Sequence, residues 1–179
     1  FIPQDNWRNK RVRILFHAVY HDACVLLNGE KVGVHQYSGY TPFVLELTDH
    51  LKFGEENLLS VKVDNRFSSD MLPYERSFDW ANDGGLIRPV EMLITGESFL
   101  LSPSVTAKPM ITACDCRQDE GSAVFGLKTG IDGRMDEKLT LAWKLYEGCD
   151  GAETLVTGGC VNCKRGETEI SGRILDNIR

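Results

Sequence analysis

Long apolar runs are missing from this sequence. No stretch approaches the ~18 residues that a membrane-spanning helix needs. Basic charge is also short: 20 Lys and Arg stand against 26 Asp and Glu, a net charge of −6. A nucleic acid or an anionic membrane surface would select a basic face, so neither is an expected partner. No signal peptide and no Asn-x-Ser/Thr sequon are present. Phe1 is not a natural start and Ile2-Pro3 reads like the end of a strand entered from upstream, so the chain reads as a piece of a longer one. Six cysteines are too few for a disulfide scaffold of this length. Reduced thiols and a cytoplasmic location are the expectation. Catalytic signatures are absent as well. There is no Gly-x-Ser-x-Gly elbow, P-loop or dinucleotide fingerprint, and no thiol has a neighbouring cation that would activate it.

What is present is β-patterning. The 179 residues, 42% hydrophobic and 26% charged, suffice for one large or two small domains with a core that needs no staples. Val12, Ile14 and Phe16 alternate with Arg11, Arg13 and His17 over 11–19, the period of a half-buried strand. Ala23–Leu27 follows, and Asn28-Gly29, two residues that accept positive φ between apolar arms, predicts a tight hairpin returning over Glu30–Val34. Phe43, Leu45 and Leu47 alternate next. A single helical turn is expected at 48–51, closed at Gly54, and Leu59, Val61 and Val63 form a further strand. Arg66–Arg76 has no periodicity and reads as a long loop, and Leu86–Thr95 closes the first unit. Pro103 and Pro109 mark a compositional change over 98–109, where the domain boundary is placed. Strands are then expected at 122–128, 139–146 around Trp143, 154–157 and 167–175, with turns at Asp132-Gly133 and 148–151. A central Trp on an alternating strand resembles the core strand of an immunoglobulin-like sandwich.

The stretch that the rest surrounds is Ser77–Val90, SFDWANDGGLIRPV. Gly84-Gly85 permits backbone that other residues resist, and a polar loop hung on a strand is a usual place for binding residues. A carboxylate such as Asp79 accepts hydrogen bonds from two adjacent hydroxyls, and the indole of Trp80 offers a flat face to a pyranose. Other clusters carry less. The acid pairs Glu55-Glu56, Asp119-Glu120 and Asp136-Glu137 read as solvated turns. His17 and His21 would lie roughly 13 Å apart on an extended strand, too far for a shared metal. His35 lies near the loop of residues 37–43. Cys114, Cys116, Cys160 and Cys163 lack the repeated spacing of a zinc knuckle.

The order of motifs resembles the N-terminal sugar-binding domain of family 2 glycoside hydrolases, the β-galactosidases, β-glucuronidases and β-mannosidases. The matching positions are Asn28-Gly29, Gly39–Phe43, Gly54–Asn57, Asp64-Asn65, Asp79, Gly84-Gly85 and Arg88. The resemblance implies a jelly-roll sandwich over residues 1–97, N-terminally truncated, and part of an immunoglobulin-like sandwich over residues 98–179. It implies a retaining exo-β-glycosidase whose acid and nucleophile lie on a TIM barrel of ~250 residues that this chain has no room for. No catalytic residue and no metal ligand are therefore expected in this chain. Asp79, and more weakly Trp80, would hold the substrate, a β-glycoside. No cofactor is expected, although the family's matching Asp approaches sodium in one branch, and a monovalent or divalent cation is left open for the full enzyme. Arg88 is expected to be buried between strands. The expected partners are carbohydrate and the parent's own barrel, with a homo-oligomer left open. Gly85–Val90 leans toward the β-glucuronidase branch, whereas Asp83 beside Asp79 would repel an acidic sugar. A stand-alone carbohydrate-binding module and a β-sandwich adhesion or scaffold protein are the competing readings.

Overall fold

The computed structural model describes residues 1–76, 79, 81–110, 122–133, 139–149, 152–163 and 166–174. The first strands are β1 (Arg11–Phe16), β2 (Val19–Tyr20), β3 (Asp22–Leu27), β4 (Glu30–His35), β5 (Phe43–Glu46) and β6 (Leu59–Asp64). They are followed by β7 (Gly85–Leu86) and β8 (Val90–Thr95), and then by β9 (Ser98–Leu100), β10 (Ser104–Met110), β11 (Ser122–Gly133), β12 (Leu139–Cys149), β13 (Ala152–Cys163) and β14 (Gly166–Ile174). The described helices are single 3-10 turns at Asp5–Trp7 and Thr48–His50. The chain divides into two units, residues 1–97 and 98–179. Each is a β-sandwich, so the all-β expectation holds.

Alternation builds the first unit. In β1 every second residue is buried, with Val12 and Phe16 fully enclosed and Ile14 nearly so. Ala23, Val25 and Leu27 do the same on β3. The antiparallel sheets β5-β1-β8 and β4-β3-β6 meet over these side chains, with Val19 and Leu47 completing the buried cluster. Each such side chain contributes about 1.5–3 kcal/mol on leaving water. β3 turns into β4 through Asn28 (φ 54°) and Gly29 (φ 85°), the left-handed pair the sequence predicts. Gly54 (φ 84°) follows the helical turn.

The Asn-Gly hairpin is tied to a second matching motif. Asn57, almost wholly buried, accepts a hydrogen bond at Oδ1 from Asn28 Nδ2 (2.9 Å) and from the Lys52 N–H (2.9 Å). Its amide donates to the carbonyls of Lys52 (2.7 Å) and Glu55 (3.1 Å). Asn28 Oδ1 in turn accepts from the Leu58 N–H (3.0 Å). These motifs are thus one polar knot at the end of the sandwich.

The second unit departs from the sequence expectation in detail. Residues 98–110, where the boundary is placed, already belong to the second unit: β9 and β10 pair with β11, and Pro109 stands opposite Ala123 in the ladder. Among the described residues β10 pairs on one side only, which is where a strand tolerates proline. β11 runs on through Asp132-Gly133, expected as a turn, because that end pairs with β9. β12 and β13 form a long ribbon, and the Trp143 ring packs on Phe125 of β11 with centroids 5.3 Å apart. Trp143 thereby joins the ribbon to the β10-β11-β14 sheet, as in an immunoglobulin-like core. Leu86–Thr95, expected as one strand, is broken into β7 and β8 at residues 87–89. There Pro89 supplies no N–H, and its carbonyl accepts from the His17 N–H (3.1 Å).

Asn57→Ala would strand the Lys52 N–H and the Lys52 carbonyl, and would leave Asn28 Nδ2 only its longer bond (3.4 Å) to the His50 carbonyl. The expected loss is about 3 kcal/mol, read by urea unfolding of the first unit; a loss below about 0.5 kcal/mol would contradict the knot. Glu46 gives a pH test. Burial pushes its carboxyl up, but hydrogen bonds from Arg11 and Thr48 together hold it below the ordinary value. A depressed folded value stabilises above the unfolded pKa and is lost as pH falls through the folded one. Glu46→Gln is therefore expected to be less stable at pH 7, with the gap closing below about pH 4.

Candidate functional site

Tyr20 lies under the site. It ends the two-residue strand β2, paired with Gly85 of β7, and is 2% exposed. Its hydroxyl donates to the Leu72 carbonyl (3.3 Å), and its ring meets Tyr40 with centroids 5.2 Å apart. Gly39 lies so close that a Cβ there would stand 2.4 Å from the Tyr20 ring. Tyr20 thus touches both the loop of residues 36–42 and the long loop after β6.

The loop of residues 36–42 is fixed by polar contacts. Asp22 Oδ1 accepts from the Tyr37 N–H (3.0 Å). His35 Nε2 lies 2.9 Å from the Ser38 carbonyl and 3.2 Å from Thr41 Oγ1, and its ring stacks on Phe43 at 4.2 Å. Ser38 and Thr41 share a hydroxyl hydrogen bond of 2.6 Å. Arg88 donates to the Tyr40 carbonyl (3.2 Å). Arg88 is exposed rather than buried, correcting the expectation: the strand breaks at 87–89, which carries its guanidinium out to the loop.

The long loop is closed at its base. Asn65 Nδ2 donates to the Asn82 carbonyl (3.0 Å) and Asn82 Nδ2 to the Asn65 carbonyl (2.8 Å). Gly84 packs on the Asn65 side chain, where a Cβ would meet Nδ2 at 2.6 Å, and Gly85 takes φ 113°. Both glycines of the pair are therefore required, one by space and one by backbone. Asp64 binds Arg66 rather than the loop's interior (Nε to Oδ1, 2.9 Å), and that guanidinium holds its carboxyl well below the usual range.

Between these loops lies an open pocket of about 740 Å³, wholly within the first unit. Tyr20, Tyr40, Met71, Leu72 and Pro73 give it an apolar wall, while Asp70 and Asp79 line it with carboxylates. Asp79 is exposed. Trp80 lies outside the described residues. Among the described residues no Lys or Arg lines the pocket. Such a site suits a ligand with hydroxyls at one end and an apolar surface at the other.

The remaining candidates are dispersed. His17 Nε2 lies 3.0 Å from Glu91 Oε1, and the buried His21 lies 2.7 Å from Asp22 Oδ1 through Nδ1. Glu55 and Glu56 are exposed; the acid pairs at 119–120 and 136–137 lie outside the described residues. Cys24, Cys160 and Cys163 are free thiols, Cys160 exposed and Cys163 buried on β13. Cys114 and Cys116 lie outside the described residues. Among the described residues no group of three His, Cys, Asp or Glu could hold a metal ion. Tyr20 and Leu72 were not singled out from the sequence, whereas Tyr40 was noted only as part of the Gly39–Phe43 motif. That motif and Asp79 were the signals that pointed to the pocket.

No family model matches the chain. A β-glucuronidase of Bacteroides fragilis is 30% identical over 159 residues, 88% of this chain and 21% of that protein. A β-galactosidase of Thermoanaerobacter pseudethanolicus is 37% identical over 101 residues, 56% of this chain and 14% of that protein. Among solved structures, Bifidobacterium dentium β-glucuronidase complexed with coumarin-3-O-glucuronide superposes with a TM-score of 0.78 at 25% identity, over 98% of this chain and 32% of that one. The chain thus spans about a fifth or less of the length of these curated relatives. In sequence and in fold, over most of its length, the chain is similar to one part of proteins named β-glucuronidase and β-galactosidase.

Proposed function

We propose that the chain is the non-catalytic N-terminal part of a retaining exo-β-glycosidase. In this reading residues 1–97 are its sugar-binding domain and residues 98–179 an immunoglobulin-like support. Its tasks are to brace a catalytic barrel and to lend that barrel's mouth one substrate-binding carboxylate, Asp79. The observation that carries the reading is the place of Asp79, exposed on the wall of an open pocket rather than inside the core. An ionised carboxylate there accepts hydrogen bonds from neighbouring sugar hydroxyls. The relatives' names, β-glucuronidase and β-galactosidase, support a β-glycoside as substrate. The two carboxylic acids that a retaining glycosidase uses belong, in this reading, to the rest of the parent protein.

The open pocket also favours one alternative, a module that binds carbohydrate unaided. Calorimetry separates the two: titration of this chain with galactose, glucuronate and short β-glycans gives heat of binding only if it is a self-sufficient module.

Two outcomes are expected. The 179-residue chain releases no nitrophenol from nitrophenyl β-glycosides; turnover would refute the assignment of catalysis elsewhere. In the full-length enzyme Asp79→Ala lowers kcat/KM by on the order of 10²–10³. The same change in this chain shifts its unfolding free energy by less than about 0.5 kcal/mol, as at an exposed site. An unchanged rate would remove Asp79 from the substrate.

A further inference from the structure

His21 connects β2 to β3 and is only 6% exposed, yet it lines the same open pocket as Asp79. An imidazole has two nitrogens, and a buried polar atom without a partner costs free energy. One nitrogen is provided for. Nδ1 stands 2.7 Å from Asp22 Oδ1, too close for two bare acceptors, so the proton is assigned to Nδ1. The same Asp22 oxygen accepts from the Tyr37 N–H (3.0 Å). One carboxylate thus holds both the imidazole and the loop of residues 36–42. The Tyr20 ring packs against the imidazole edge-on, with centroids 5.5 Å apart.

The other nitrogen is not provided for. Among the described residues no hydrogen bond engages His21 Nε2, and it is not one of the partnerless atoms sealed from solvent. Its way out is the pocket that His21 lines. Nearby polar groups are already engaged: the Tyr20 hydroxyl with the Leu72 carbonyl, Ser38 and Thr41 with each other, and His35 Nε2 with the Ser38 carbonyl. A histidine kept only to meet Asp22 would need Nδ1 alone, which the shorter Asn side chain supplies. Nε2 is the part of His21 that the fold does not use.

We propose that His21 Nε2 is a second ligand contact of this site: it meets a sugar hydroxyl while Asp79 takes others, and Asp22 is the residue that positions it. The proposal rests on the sugar-contact reading of Asp79. A hydroxyl both donates and accepts, so it pairs with Nε2 in either protonation state of the ring. Water serves that nitrogen in the free chain, and a hydroxyl replaces water with like geometry. The ring is held before the ligand arrives, so contact costs little ordering entropy.

The test uses the full-length parent with whichever of nitrophenyl β-galactoside and β-glucuronide it hydrolyses, and with the 2-, 3- and 4-deoxy analogues of that substrate. Two variants separate the nitrogens. His21→Asn keeps an N–H at the reach of Nδ1 and loses Nε2; His21→Gln keeps an amide at the reach of Nε2 and loses the contact with Asp22. His21→Asn is expected to lower kcat/KM about tenfold, the worth of one hydrogen bond, except on the one deoxy analogue that lacks the contacted hydroxyl. His21→Gln is expected to lose only about two- to threefold, again not on that analogue. A purely structural histidine gives the reverse order, Asn mild and Gln severe, with every substrate affected alike. That order, or an unchanged rate in both variants, would overturn the assignment. Should His21→Asn not fold, His21→Gln decides alone: a loss that spares one analogue supports the contact, and a uniform loss or none refutes it. The Asp79 reading is decided by the rate of Asp79→Ala, so it stands if His21 fails. A parent that hydrolyses neither glycoside removes both.

Discussion

Two reciprocal amide hydrogen bonds between Asn65 and Asn82 hold the candidate site together. Between them the chain makes an excursion in which no described residue lies in a strand, and that excursion carries Met71, Leu72, Pro73 and Asp79 to the pocket. A loop of this length has only a modest closure cost once its ends are pinned, whereas an unpinned one would leave Asp79 no fixed position. The pin is itself placed by the sandwich: Asn65 follows the last residue of β6, and Gly84 brings the returning chain against it. The sandwich thereby fixes both ends of the loop that carries the carboxylate.

A second loop meets the first over Tyr20. That ring is closed off from water yet lies against Gly39 and Tyr40 on one side and hydrogen-bonds the Leu72 carbonyl on the other. Arg88 adds a tie from beyond the Gly-Gly pair to the Tyr40 carbonyl. Several motif positions that look separate in the sequence, Gly39–Phe43, Gly84-Gly85 and Arg88, are thus parts of one assembly around the pocket.

The first sandwich was legible because its strands are half buried. A side-chain period of two follows from the pleat, and Val12, Ile14 and Phe16 display it without interruption; Asn28-Gly29 announces its own turn. The second unit was less legible because its strands carry glycines where the eye expects a break. Gly158 and Gly159, which hid most of β13, are required by it: a Cβ at the first would stand 2.8 Å from the Trp143 carbonyl oxygen and one at the second 3.2 Å from its indole nitrogen. Asp132-Gly133 misled in the same way, since pairing with β9 overrides local turn preference. In the site, Asp79 stood out by its chemistry. Tyr20 did not, because a two-residue strand has no period to detect, and Arg88 was misplaced because the break at 87–89 is set by tertiary contacts.

Pro109 has an effect on the outer margin of its sheet. Among the described residues β10 has β11 on one side and no strand on the other. A bare strand margin is a template on which foreign chains assemble into cross-β aggregates. Proline brings no N–H to β10, yet the register with β11 stays continuous from Ser104 to Met110. The residue first noticed as a mark of changing composition thus stands in a strand with a single described neighbour, the place where a missing N–H costs a sheet least.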